Sequence, residues 1–214
     1  MTDKNGVGVT VISHNSENRT LVIGFEDPGS YSHDIQYKET DLLQLASLTS
    51  VSTHCEQFIK YECINSLMFT DSKNNINIHA WCVSRDSANM TYWGGARPGS
   101  GKCACGMNSS CANDKVCNCD ANDNIWREDS GLLTDKTHLP VKQLRFGDTN
   151  GAGEKGYHTL GKFKCYGIAW YHYTCQECDY TLLFCMNQSK KVRLGKCHVQ
   201  RIKLRDLMII NTEK

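Results

Sequence analysis

The cysteines between Tyr92 and Asp123 constrain this chain more than any other feature of its sequence. Five of the chain's 13 cysteines lie there, with the spacing C-x-C-x5-C-x5-C-x-C. Gly, Asn, Ser and Asp fill the gaps, so neither a long helix nor a long strand is expected. Because the stretch has little apolar surface to bury, cross-links or a bound ion must hold it. The five are Cys103, Cys105, Cys111, Cys117 and Cys119.

Three kinds of chemistry compete to explain this cluster. Structural zinc sites usually contain C-x2-C pairs, whereas the C-x-C pairs found here bring two thiolates to one metal less readily. A catalytic thiol needs a histidine, but the eight histidines are scattered and no local cysteine-protease signature is present. Disulfide bonds would each contribute about 2–4 kcal/mol, which suits a loop that cannot bury itself. The spacing alone leaves all three chemistries open.

Composition narrows the class of protein. A length of 214 residues predicts one domain with an appendage or two small domains. A net charge of +1 offers no electrostatic footprint for nucleic acid or for an anionic membrane surface. No run of residues approaches the ~20 apolar positions of a membrane helix, and the first ten residues are not a signal peptide. Thirteen cysteines are nevertheless typical of an oxidised extracellular protein, so we expect either intracellular metal binding or a natural start upstream of Met1.

Four N-x-S/T sequons also favour secretion when they are considered together with the cysteines. Each sequon is weak evidence alone, because such triplets occur by chance in solvated polar loops. We expect Asn18, Asn89 and Asn108 to be candidates for N-glycosylation, and the fourth sequon begins at Asn187.

The hydrophobic pattern predicts an irregular α+β domain with long loops that ends near Gly167. Residues 7–14 and 19–26 are rich in Val, Ile and Thr and predict an antiparallel hairpin. A third short strand is expected at 35–37. Further strands are expected at 76–83, 139–148, 157–165 and 199–210.

Residues 41–62 predict two helical pieces. The second piece begins with a capping-box pattern, in which the Thr53 hydroxyl accepts a hydrogen bond from the Glu56 amide. Cys55 then lies near the buried side of the helix, and Cys63 follows eight positions later. The two cysteines are expected to form a short disulfide where the chain turns back, with two separately buried thiols as the alternative.

Two weaker metal sites are also suggested by the sequence. Asp120, Asn122 and Asn124 supply oxygen ligands at alternate positions, as at the start of a calcium loop. The EF-hand pattern fails at Ile125 and Gly131, and an Asx-rich turn explains the same residues. Cysteines in the tail would bind zinc if the tail folded alone in a reducing compartment, although disulfides or a non-native tail are the competing interpretations. These tail residues are Cys175, Cys178, Cys185, Cys197 and His198.

No catalytic constellation stands out, because nothing places a nucleophile, a base and an orienting group together. A series of motifs instead shares its order and spacing with a known family across roughly residues 1–167. The motifs are CEQFIKYEC (Cys55–Cys63), YWGG (Tyr92–Gly95), KCACG (Lys102–Gly106), Cys111, CNCDA (Cys117–Ala121), Trp126, GLLTDKTHLPV (Gly131–Val141), GDT (Gly147–Thr149) and KCYG (Lys164–Gly167). This series resembles the fibrinogen-like domain of the contactin-associated proteins, the neurexin IV group.

The resemblance implies a fold and a set of disulfide candidates. The expected fold is α+β and fibrinogen C-terminal-like, with mixed, mostly antiparallel sheets, short helices and long disulfide-stapled loops. Residues 1–167 would form this domain in N-terminally truncated form, and 168–214 a divergent cysteine-containing tail that is not necessarily natively folded. The matched region holds nine cysteines, so Cys82 is expected to be free or to pair outside that region. The disulfide candidates are Cys55, Cys63, Cys103, Cys105, Cys111, Cys117, Cys119 and Cys165.

The resemblance also implies a non-catalytic extracellular recognition module that takes part in cell adhesion. Its expected partners are extracellular or cell-surface proteins and not nucleic acid, and it would meet a membrane only through missing parts of a full-length chain. No cofactor is expected apart from the calcium candidate. A secreted lectin for acetylated glycans and an intracellular zinc-binding protein are the alternatives. The chain is expected to be a fragment whose signal peptide lies upstream.

Overall fold

The computed structural model describes part of the chain in full and part by its backbone alone. Residues 1–3, 5–69 and 78–167 are described in full, and 70–72, 75–77, 170–175 and 197–202 by backbone only. Within these ranges the helix is α1 Leu42–Val51, and three 3-10 helices follow at Ala104–Met107, Ala112–Asp114 and Cys119–Ala121. The strands are β1 Val9–Ile12, β2 Thr20–Val22, β3 Tyr31–Asp34, β4 His54–Ile64, β5 Phe69–Ser72, β6 Asn75–Ile78, β7 Trp81–Ser84, β8 Asn89–Met90, β9 Arg127–Leu133, β10 Val141–Phe146, β11 Lys155–Leu160, β12 Phe163–Tyr166, β13 Trp170–Cys175 and β14 Cys197–Ile202.

A six-stranded antiparallel sheet is built around β4, the longest strand. β4 pairs with β9 along one edge and with β11 and β12 along the other. β1 then pairs with β12, and β2 pairs with β11. The predicted hairpin of residues 7–14 and 19–26 is therefore wrong in its pairing, since its two strands lie beside different partners from the far end of the chain.

The predicted second helix is also wrong, because residues 54–64 form β4. Every second side chain of β4 is buried, which is the period of a strand rather than that of a helix. Thr53 makes no capping box and instead donates its hydroxyl to the Tyr166 carbonyl oxygen at 2.7 Å. The first helical piece is confirmed as α1. Its capping box lies earlier, where Asp41 accepts from the Gln44 amide at 2.8 Å and Gln44 accepts from the Asp41 amide at 3.0 Å.

A four-stranded sheet in the order β3, β10, β7, β8 packs against the first sheet. Phe146 of β10 lies at the centre of the contact and stacks on Tyr61 of β4, with ring centroids 4.4 Å apart. The rings of His158 and Trp93 also contact Phe146, at centroid distances of 5.6 and 5.9 Å. All four side chains are fully buried, so this aromatic cluster joins the two sheets into one core.

The remaining predicted strands agree with the structure to different degrees. The strand at 139–148 is confirmed as β10, whereas 157–165 divides into β11 and β12. The strand at 76–83 divides into β6 and β7, and the short strand at 35–37 lies earlier, as β3. In the tail, the backbones of β13 and β14 pair antiparallel, with Cys175 opposite Cys197. Cys178 and Cys185 lie outside the described residues.

A close approach of two backbones fixes the loop after Tyr92 against β9. A Cβ atom added at Gly131 would lie 2.1 Å from the Gly94 carbonyl oxygen, and both glycines have positive φ angles. Replacing Gly131 by alanine is therefore expected to lower the free energy of unfolding by about 2–3 kcal/mol, because one backbone must move away. Chemical denaturation measures this loss.

Gly99 provides the matched control for that substitution. Its φ is +72°, but an added Cβ would meet nothing within 4 Å. Gly99→Ala should therefore lower the free energy of unfolding by only about 1 kcal/mol, which is the cost of holding an alanine in the left-handed conformation. Equal losses in the two variants would show that the contact with Gly94 does not constrain the loop.

Candidate functional site

The cysteine-rich stretch is held by three disulfides. Two of them lie within the stretch: Cys103–Cys117, with a sequence separation of 14, and Cys105–Cys111, with a separation of 6. The third, Cys63–Cys119, joins the stretch to β4 across a sequence separation of 56. Each thiol of the C-x-C pairs is therefore bonded to a sulfur outside its own pair. These bonds leave no thiolate in the stretch for zinc or for nucleophilic attack.

The expected bridge between Cys55 and Cys63 is wrong. Cys55 bonds Cys165, which lies directly opposite it in the β4–β12 ladder with 4.1 Å between the two Cα atoms. Cys63 bonds Cys119 instead. The error follows from the helix prediction, which placed a turn of the chain between the two cysteines. In the extended strand β4, Cys55 and Cys63 lie on the same face but roughly 26 Å apart, which is too far for a disulfide.

Asp129 positions the cysteine-rich stretch on β9. Its side chain is 3% exposed and accepts hydrogen bonds from the amides of Asn118 and Cys119, at 3.0 and 2.9 Å. The indole of Trp93 donates to its carbonyl oxygen at 3.0 Å. Burial raises the pKa of Asp129, and the two backbone hydrogen bonds oppose that rise. No pattern in the sequence points to Asp129, because a single acidic residue at a buried strand position belongs to no recognisable motif.

The three calcium candidates have separate environments. Asp120 is 4% exposed, and its Oδ1 accepts from the amides of Met68 and Phe69 at 2.9 and 2.8 Å. Asn122 and Asn124 are exposed, and Asn122 ends a 3-10 helix in the left-handed conformation. These contacts describe a buried aspartate followed by an Asx-rich turn. A calcium site at these residues stays a prediction.

Two further groups bring possible metal ligands within 4.8 Å of one another in the described residues. One consists of Asp129 and the bonded sulfurs of Cys103 and Cys117, which a disulfide makes poor ligands. The other is the loop cluster of Glu26, Asp148 and Glu154. Two of its carboxylates already accept amide hydrogen bonds, Asp148 from Leu67 and Glu154 from Gly151, both at 2.6 Å.

The three described sequon asparagines are all exposed. Asn89 lies in the edge strand β8, and Asn18 lies shortly before β2. The Oδ1 atom of Asn108 accepts from the hydroxyl of Ser110 at 2.8 Å. Access to these asparagines is therefore compatible with N-glycosylation, which stays a prediction. Asn187 lies outside the described residues.

Cys82 is the one free cysteine in the fully described part of the chain. It is fully buried in β7, and burial raises the pKa of its thiol to about 12. A thiol with this pKa is protonated at neutral pH and is a poor nucleophile. Cys82 therefore acts as a small apolar core residue.

A pocket on the outer face of the six-stranded sheet was not predicted. It has a volume of about 290 Å³ and is lined by Arg19, Glu62, Trp126, Arg127 and Glu128. The indole of Trp126 is 47% exposed and lies 5.8 Å from the Tyr157 ring, measured between centroids. One weak signal was present in the sequence, an aromatic residue at a solvent-facing position beside a strand. Arg127 and Glu128 directly follow Trp126 in the sequence, whereas Arg19 and Glu62 come from separate segments that only the fold brings to the pocket.

Comparison with known proteins identifies relatives of the chain. Neurexin-4 of Drosophila melanogaster is 39% identical over 164 residues, which cover 74% of this chain and 13% of the fly protein. Contactin-associated protein 1 of Rattus norvegicus and that of Homo sapiens are each 36% identical over 159 residues. These alignments cover 74% of this chain and 11% of each relative. The chain therefore spans only about an eighth or less of the length of these relatives.

No protein-family model matches the chain. Among the described residues, no helix combines the length and the apolar character needed to cross a lipid bilayer.

Proposed function

Because the chain belongs to the neurexin IV and contactin-associated protein family, we propose that it is a non-catalytic extracellular recognition module that serves cell adhesion. The family relationship is the observation that carries this proposal. The four disulfides among the described residues support it, because such bonds form and persist in oxidising compartments.

We also propose that residues 1–167 form one fibrinogen-like domain and that 168–214 form a separate tail. The described residues support this proposal through their α+β arrangement of mostly antiparallel sheets, one α-helix and disulfide-stapled loops. Limited proteolysis should therefore cut first beyond residue 167. First cleavage inside the cysteine-rich stretch would contradict the proposed boundary.

The compartment can be tested by counting free thiols in protein from its native source. Alkylation of the denatured, unreduced protein should modify Cys82 and at most the four tail cysteines. Intact mass measures the number of alkyl groups. Eight or more modified cysteines would contradict the extracellular proposal and favour the intracellular zinc-binding alternative.

The adhesion role can be tested with the oxidised protein displayed on beads. The name of the rat and human relatives states an association with contactin. We therefore expect the beads to bind cells that display a contactin ectodomain more strongly than untransfected cells. Beads carrying reduced and alkylated protein provide the control, because they present the same sequence without its disulfide-held surface. Equal capture by the two kinds of bead would contradict recognition by the folded module.

A further inference from the structure

Three charged side chains that line the Trp126 pocket are held by partners within the chain. The guanidinium of Arg19 lies 3.3 Å from the centroid of the Tyr157 ring, and its Nε donates to Glu62 at 2.9 Å. Lys60 forms a second ion pair with Glu62, at 3.2 Å. Burial raises the pKa of Glu62, but the bonds from Arg19 and Lys60 together outweigh that rise, so the pKa is lowered and this carboxylate stays ionised. Arg127 is likewise held, by Asp123 at 2.8 Å. Such preorganisation reduces the entropy lost on binding.

The strand register places the polar and aromatic groups in one row. Tyr157 of β11 lies opposite Glu62 of β4, which lies opposite Glu128 of β9. Trp126 directly precedes β9 and tilts toward Tyr157, with 38° between the two ring planes. The row therefore presents the half-exposed indole of Trp126 beside charged hydrogen-bonding groups on a single solvent-facing surface, whereas the Arg19 guanidinium already covers the Tyr157 ring.

The nearly balanced charges around the pocket disfavour a strongly ionic ligand. Arg19 and Arg127 contribute two positive charges to the lining, and Glu62 and Glu128 contribute two negative charges. At the border of the pocket, Lys60 lies 3.2 Å from Glu62, and the Lys155 Nζ lies 5.8 Å from the centroid of the Trp126 ring. Asp123 pairs with Arg127, so the positive charges exceed the negative ones by only one. An anion would meet both carboxylates and a cation would meet both guanidinium groups, so either incurs a like-charge penalty. A neutral ligand avoids this penalty.

The same groups suit a ligand whose polar atoms both donate and accept. Carboxylates only accept hydrogen bonds and guanidinium groups only donate them, whereas a hydroxyl does both. A pyranose ring combines several hydroxyls with a face of C–H groups that packs against the negative face of an aromatic ring. The volume of about 290 Å³ lies at the lower end of small-molecule sites, which suits one sugar ring.

We propose that this pocket is a binding subsite for a single neutral pyranose unit. The indole of Trp126 contacts the C–H face of the sugar, and Arg19, Arg127, Glu62 and Glu128 bind its hydroxyls. The proposal is independent of the adhesion role, since a sugar is recognised here through the pocket alone.

The sugar has two available sources. One is a glycan on another molecule. The other is a glycan on this chain, because the exposed Asn18 directly precedes Arg19 and begins a sequon. Both sources present the same neutral ring to the pocket, and enzymatic removal of N-glycans distinguishes them.

The test uses the full oxidised chain and a panel of methyl glycosides of glucose, galactose, mannose and N-acetylglucosamine. Saturation-transfer NMR should show transfer to the ring protons of at least one of them. The W126A variant should bind at least about tenfold more weakly, because the aromatic contact is lost. L132A is the matched control: Leu132 is 42% exposed on the same sheet but does not line the pocket, so binding should not change.

Three results would overturn the proposal: no transfer to any neutral glycoside either before or after N-glycan removal, equal binding by W126A and the unaltered chain, or tighter binding of glucuronic acid or glucosamine than of neutral sugars. Binding is measured on protein from a glycosylating host before and after N-glycan removal. If glycosides bind only after the N-glycans have been removed, and if the N18Q variant binds them without enzymatic treatment, the Asn18 glycan is the occupant. Binding in both states identifies a sugar on another molecule.

Discussion

Replacing both Cys55 and Cys165 by alanine is expected to lower the free energy of unfolding by about 5 kcal/mol. This disulfide joins residues 110 positions apart, the largest separation among the four. A cross-link that closes a longer loop removes more conformational entropy from the unfolded chain. Urea denaturation of the oxidised proteins measures the loss.

The pair of Cys103 and Cys117 supplies the control. All four cysteines are at least 98% buried, so alanine leaves similar space at both sites. The Cys103–Cys117 bond spans only 14 residues, and its removal should cost about 3 kcal/mol. Equal losses for the two double variants would show that loop closure does not set the contribution of these bonds.

The sequence predicted the class of fold well and the course of β4 poorly. The segment from Thr53 to Ile64 contains two conflicting patterns. Thr53 and Glu56 match a capping box and predict a helix, whereas every second residue from Cys55 to Cys63 is buried, as in a strand. Gln57 concealed the strand pattern, because it is polar yet fully buried. Its side chain accepts from the Val141 amide at 3.0 Å and donates to Tyr37 at 2.9 Å, and both partners come from distant segments.

Neither the disulfide partners nor the pocket could be predicted from the sequence, and the physical reason is the same for both. Cys55 meets Cys165 only because β12 pairs with β4 in one register, and register depends on tertiary contacts that local patterns do not contain. Arg19, Glu62 and Trp126 likewise come together only after β2, β4, β9 and β11 have assembled. The need to cross-link the cysteine-rich stretch was predictable, because that need follows from local composition.

Two buried groups should give this protein opposing dependences of stability on pH. Burial raises the pKa of Asp120 to about 7, against backbone hydrogen bonds from Met68 and Phe69 that lower it, and the charge of Asp129 adds to the rise. The folded state therefore favours the protonated acid. The stability that this carboxyl contributes is complete below about pH 4 and is lost as the pH rises through 7.

His158 acts in the opposite direction. Burial lowers its pKa to about 4, and the nearby His33 contributes to that lowering. Its Nε2 lies 2.9 Å from the Tyr31 hydroxyl, and its ring stacks on Phe146. The folded state therefore favours the neutral imidazole. The stability that it contributes is complete above about pH 6.5 and is lost as the pH falls through 4.

Substituting one group at a time should reveal the two dependences. Between pH 4 and 6.5 the contributions of Asp120 and His158 nearly cancel in the unaltered protein. Relative to the unaltered protein, the free energy of unfolding of D120N should rise by about 3 kcal/mol across this window, and that of H158Q should fall by about 3 kcal/mol. His14, whose pKa burial lowers, and Asp129, whose pKa burial raises, are present in all three proteins and leave the differences between them unchanged. Urea denaturation at each pH measures these slopes, and a D120N slope equal to that of the unaltered protein would show that Asp120 is ionised in the folded state.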